Sequence, residues 1–123
     1  MFAQCKLLTS IDVSHFQTGK VTDFIDFVNG CTTLTSLDVS NFDTSNATRM
    51  SYMFGNCPAL TSLDVSHFNT AKVQNFTGMF YGDSNLTSLD VSSFDTSSVT
   101  GMGQMFYNNS KLTSLDLSNF DTR

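Results

Sequence analysis

The chain has 123 residues, and its six Lys and Arg face eleven acids, every one of them Asp, for a formal charge of -5. That length fits one domain or one repeat array. With no basic cluster the chain offers nothing to nucleic acid, and its apolar runs are far too short to span a membrane in this segment.

The chain opens on "MFAQCKLL", which lacks the charged start and long apolar core of a signal peptide, so any export signal is expected outside it. At Leu8 comes "LTSIDVS". It returns as "LTSLDVS" at Leu34, Leu60 and Leu86 and as "LTSLDLS" at Leu112, each start 26 residues after the last. Within each copy, residues such as Leu37 and Val39 alternate with Ser36, Asp38 and Ser40, a period of two that reads as a strand with one buried face. Each copy is followed by Phe16, Phe42, Phe68, Phe94 or Phe120, which would stack as a spine down the array. Beyond the Phe the spacing becomes three and four: Ala47, Met50, Met53 with Phe54, Cys57; then Val73, Phe76, Met79 with Phe80, Asp83. This is helical spacing, with Thr44 or Ser45 as a cap, shortened to helical or 3₁₀ turns by Gly78, Gly101 and Gly103. The chain ends in mid-repeat after Phe120, as it begins in mid-repeat at Met1, which shares the column of Met53 and Met79.

A fixed period of this size with an L-x-x-L-x-V opening predicts a leucine-rich-repeat solenoid of the α/β horseshoe type. One parallel β-sheet would form one face and short helical or 3₁₀ segments the other, in about four full 26-residue coils over a single array, residues 1–123. Each coil would bury its core only against its neighbours. Neither end carries a polar cap, so the chain is expected to be a segment of a longer array or to stack end to end.

The stretch "LTSLDVSNFDTSNATRMSYMFGNC" resembles the 26-residue repeat of BspA-like bacterial surface proteins, a leucine-rich-repeat family. "MFAQC" at Met1 and "MFGNC" at Met53 match its tail, while "MFYGD" and "MFYNN" depart at the last position. The resemblance implies a secreted or cell-surface protein engaged in adhesion to a protein or glycan, including host extracellular matrix. It carries over no particular binding residue.

Five aspartates, Asp12, Asp38, Asp64, Asp90 and Asp116, share one column on the exposed face. Like charges about 5 Å apart repel by roughly 1 kcal/mol in water and by more near a protein surface, so something must offset them. The flanking serines, among them Ser40, Ser66 and Ser92, are one answer; a partner reading the acidic ridge is the other. Calcium takes six to eight oxygen ligands, so a row of Asp38, Asp64 and Asp90 would hold it weakly. Two varying columns at the edge could tune a ligand surface: His15, Asn41, His67, Ser93, Asn119, and Gln17, Asp43, Asn69, Asp95, Asp121. Candidate ligand-binding residues are therefore Asp38, Asp64, Asp90, Ser40, Ser66, Ser92, Asn41 and His67, with no defined metal site and no cofactor.

The remaining features read as structural. His15 and His67 lie two coils apart and make no metal pair. Cys5, Cys31 and Cys57 share one column without C-x-x-C or zinc spacing, as buried free thiols would. Tyr81 and Tyr107 share another column and suggest a small aromatic strip. The Thr18, Thr44, Thr70, Thr96 and Thr122 column lacks the T-x-T pattern of an ice-binding face. There is no Glu, no H-E-x-x-H, no G-x-S-x-G and no phosphate loop, so catalysis is not expected. Two roles stand: an adhesive interaction module, and a structural spacer or self-stacking scaffold.

Overall fold

The computed structural model describes residues 2–120. Its coil-to-coil register is set by the stretch that was expected to be helical. From Phe24 to Cys31, every second N–H leaves the coil. Phe24, Asp26, Val28 and Gly30 donate to the carbonyls of Arg49, Ser51, Met53 and Gly55, each at 3.0 Å. The N–H groups between them stay local: Phe27, Asn29 and Cys31 donate to the carbonyls of Phe24, Asp26 and Val28 at 3.2, 3.3 and 3.1 Å. The same alternation repeats from Met50 to Asn56 and from Phe76 to Gly82.

Overlapping β-turns produce this pattern. In two of them, set end to end along the stretch, the third residue adopts a left-handed conformation, as type II turns require. Asp26, Tyr52, Gly78 and Gln104 fill that place in the first turn, with φ of 58, 53, 62 and 58°; Gly30, Asn56, Gly82 and Asn108 fill it in the second, with φ of 80, 55, 74 and 61°. A helix needs each successive N–H bonded back along its own segment, and here half of them serve the next coil. Among the described residues there is therefore no helix, and the horseshoe of helices and sheet is corrected. Ala47, Met50, Met53, Phe54 and Cys57 are indeed fully buried. Their spacing of three and four comes from chained turns.

Among the described residues the parallel sheet is also absent. In "LTSLDVS" the faces alternate as expected, with Leu37 and Val39 buried and Ser36, Asp38 and Ser40 exposed. Yet among the described residues its only backbone-to-backbone bonds across coils are Thr35 N–H to Thr9 O at 2.9 Å and Thr87 N–H to Thr61 O at 3.4 Å. A turn closed by Phe42 N–H to Val39 O at 3.0 Å then carries the chain out of line before a ladder can extend. Strand-type pairing among the described residues is confined to isolated parallel bridges, Asp23 to Arg49, Arg49 to Asn75 and Asn75 to Gly101.

Side chains supply a further inter-coil link. The buried Thr44 hydroxyl donates to Asn69 O and accepts from Asn69 N–H, both at 2.9 Å. Thr18 does the same with Asp43, and Thr70 with Asp95. Thr44 is thus a cross-coil clamp and not a helix cap, and Ser45 donates to Asp43 beside it. Between these links lies one apolar core. Phe68, Phe94 and Phe120 stack nearly parallel at 6.5 and 6.4 Å.

Candidate functional site

Each aspartate of the repeated motif ends its extended run. Its Oδ1 accepts the backbone N–H of the serine two residues on, at 2.9 Å for Asp12, Asp38, Asp90 and Asp116 and 3.0 Å for Asp64. The hydroxyls of Ser14 and Ser66 also donate to that oxygen, at 2.6 Å. A short side chain that captures its own backbone two residues ahead is a turn-former. The motif therefore needs its aspartate locally, whatever else the residue does.

The same contacts fix the charge. The serine hydroxyl, then its amide, hold Asp12, Asp38, Asp64 and Asp90 below the usual carboxylate range; for Asp116 the amide leads. Hydrogen bonds to the ionised form outweigh the repulsion that Asp64 exerts on Asp38 and Asp90. The column stays anionic well below neutral pH, and no hydrogen bond among the described residues engages the second oxygen, Oδ2.

Asp12, Asp38 and Asp64 line a shallow groove of about 470 Å³ with Ser10, Ser36 and Ser62, floored by Ile11, Leu37 and Leu63. It crosses three coils. Asp90 and Ser92 continue the column beyond it. Ser40 and Ser66 sit at its margin as the turn partners of Asp38 and Asp64.

Asn41 and His67, read as variable ligand contacts, are exposed, and each also holds a carbonyl of the preceding coil. Asn41 Nδ2 donates to the carbonyls of Val13, Ser14 and Phe16 at 3.1, 3.0 and 3.2 Å. His67 Nε2 meets Val39 O at 2.8 Å, which requires the proton on that nitrogen, and Asn119 spans the carbonyls of Val91, Ser92 and Phe94. These three side chains pin the preceding coil's turn. A run of side-chain donors one residue before the Phe was the signal for it.

Among the described residues no group of three or more His, Cys, Asp or Glu is gathered to hold a metal ion. Cys5, Cys31 and Cys57 are free, and burial pushes the Cys31 and Cys57 thiols up, away from the reactive thiolate. Tyr81 and Tyr107 stack at 5.2 Å, and Tyr52 from the neighbouring column adds to the strip at 6.0 Å from Tyr81. No helix of the described residues is long and apolar enough to cross a membrane.

Coils held in 26-residue register, with one side-chain groove running across them, define a repeat-array protein. The family profile described as "Mycoplasma protein of unknown function, DUF285" matches residues 59–123, just over half of the chain, and the chain belongs to that family. No curated protein and no solved structure matches it.

Proposed function

We propose that this chain is a non-catalytic interaction module, an adhesin segment of a secreted or cell-surface protein that takes a protein or glycan partner in its serine–aspartate groove. One observation carries the reading: three coils present the same Ser and Asp in one groove, with Oδ2 of each aspartate uncommitted. A repeated anionic row of this kind favours a partner with cationic or hydroxyl donors along its length. The resemblance of the repeat to BspA-like surface proteins supports the adhesive context. Extracellular-matrix proteins and glycans of the host are the partners to try first.

The test is binding of the purified chain to an immobilised panel of matrix proteins and glycans, with calcium and with chelator. An Asp38/Asp64/Asp90→Ser variant runs beside it. Saturable micromolar binding that the variant loses is the expected result, and calcium dependence would show an ion bridging the groove to its partner. Binding that the variant retains would remove the groove from the account.

A further inference from the structure

The second coil holds a dipeptide that no other coil repeats. Asn29 is followed by Gly30, the only Asn-Gly pair in the chain. The same two columns read Ala3-Gln4, Gly55-Asn56, Tyr81-Gly82 and Tyr107-Asn108 elsewhere, so the fold does not require it. An asparagine before a glycine carries a reaction of its own. The glycine nitrogen, with no side chain beside it to obstruct the approach, attacks the asparagine Cγ. The new N–C bond closes a five-membered succinimide, and the side-chain NH₂ leaves with the peptide proton as ammonia. Water then opens the ring at either carbonyl, to aspartate or to isoaspartate, in which the main chain runs through the former side chain.

The groups this reaction needs are all held by the fold. Gly30 N–H donates to Gly55 O of the third coil at 3.0 Å, and the residue is buried with the Gln4 side chain against it. The nitrogen attacks only after losing that proton, and a buried, bonded amide proton is reached only when the local structure opens. The Asn29 side chain is tethered at both of its polar atoms. Its Nδ2 donates to Asp26 Oδ1 at 2.9 Å, and its Oδ1 accepts from Asn56 Nδ2 of the third coil at 2.9 Å. The backbone is fixed too: Asn29 N–H donates to Asp26 O at 3.3 Å, and Asn29 O accepts from Gln4 N–H at 2.7 Å.

We propose that Asn29 is a deamidation site gated by the docking of the second coil on the third. It is closed while Gly30 and Asn29 hold Gly55 and Asn56, and open when that contact lets go. The product does not fit back. A carboxylate at position 29 has no N–H for Asp26 Oδ1 and sets a second negative charge beside it. Isoaspartate also lengthens the main chain by a methylene just before Gly30, which displaces its N–H from Gly55 O. An opening that reacts is therefore one-way. This inference is independent of the groove and its partner.

The purified chain is held at mildly alkaline pH, folded and, in parallel, unfolded in guanidinium chloride. Peptide mass spectrometry follows the loss of Asn29, and chromatography separates aspartate from isoaspartate at that position. The folded chain should react at least about tenfold more slowly, the ratio reporting how seldom the coil opens. Asn56→Gly removes one tether and leaves a residue that accepts the positive φ of its turn position. In the folded state it should react roughly threefold faster than the parent or more, the worth of one hydrogen bond. Circular dichroism confirms that the variant folds; if it does not, the folded-to-unfolded ratio of the parent decides alone. Equal rates in the folded and unfolded parent, no loss of Asn29 in either, or a folded variant no faster than the parent would each overturn the proposal.

Discussion

The first coils and the later ones solve the same packing problem differently. In residues 27–28 the order is Phe-Val, whereas the later coils read Met53-Phe54, Met79-Phe80 and Met105-Phe106. Phe27 meets Phe24, Phe2 and Phe42 edge-on, with interplanar angles of 86, 81 and 69°. Phe54, Phe80 and Phe106 instead lie face to face at 5.9 and 5.7 Å, within 15° of parallel. Moving a ring one column over changes its geometry but keeps it buried. The thiol column behaves otherwise. Cys31 Sγ donates to Phe2 O and Cys57 Sγ to Val28 O, and Asn109 Nδ2 donates to Phe80 O, the carbonyl in the equivalent place. Asp83 stands in that column between them. It accepts Cys57 N–H at 2.8 Å, but its Oδ2 is buried without a partner, as is Asn109 Oδ1. An apolar exchange costs geometry; a carboxyl put where a thiol stood costs desolvation.

The sharpest break in the comparison comes from its rings. Phe80 is fully buried between Phe54 and Phe106, so Phe80→Ala opens a cavity in mid-stack and should lower stability by about 3–5 kcal/mol. Phe2→Ala, at a half-buried ring of the first coil, should cost less. Equal losses in urea melts would mean that the two packings are equally committed.

The next effect is in pH. Burial raises Asp83 to about 8, against 3.8 for the free group. The folded state therefore holds a proton that the unfolded state releases. The stability due to neutral Asp83 is complete below pH 3.8, shrinks as pH rises, and is gone once pH passes about 8. The slope is at most about 1.4 kcal/mol per pH unit. A protonated Asp83 also regains the donor that its column supplies in other coils. Asp83→Cys restores the thiol and should flatten the profile between pH 5 and 8, read by thermal melts at fixed salt. An unchanged slope would assign the titration to another group.

Much of the core was legible in the sequence. The 26-residue columns of Leu, Val, Phe and Met are the buried columns, and the alternation in "LTSLDVS" gives its faces correctly. What hydropathy does not carry is where a backbone N–H goes. Residues spaced by three and four suit a helix or a chain of turns equally well. The signal that separates them lies in another column, Gln4, Gly30, Asn56, Gly82 and Asn108, whose glycines and asparagines tolerate positive φ. The aspartate column was legible as exposed and serine-flanked. That its first duty is a turn depends on the i+2 contact, which spacing alone does not rank above solvation. For Asn41 and His67, read as contacts open to ligands, spacing does not carry the second fact, that each side chain also reaches a carbonyl one coil back.

The smallest effect separates coils that differ at a single turn residue. Asp26, Tyr52 and Gln104 carry side chains at positive φ, so the position does not demand glycine by its backbone alone. Gly78 is different because the Tyr52 ring lies over it. A Cβ there would meet Tyr52 Cδ1 and Cζ at 2.7 Å, and the ring cannot yield without leaving its packing on Tyr81. Gly78→Ala should cost about 1–2 kcal/mol, part from the left-handed backbone and part from the displaced ring. In a Tyr52→Ala background the second part disappears, and the penalty should fall toward the backbone part alone. A double-mutant cycle reads the difference. If the penalty is the same in both backgrounds, the ring already stands clear of Gly78 in solution, and the glycine answers to φ alone as its counterparts in the other coils do.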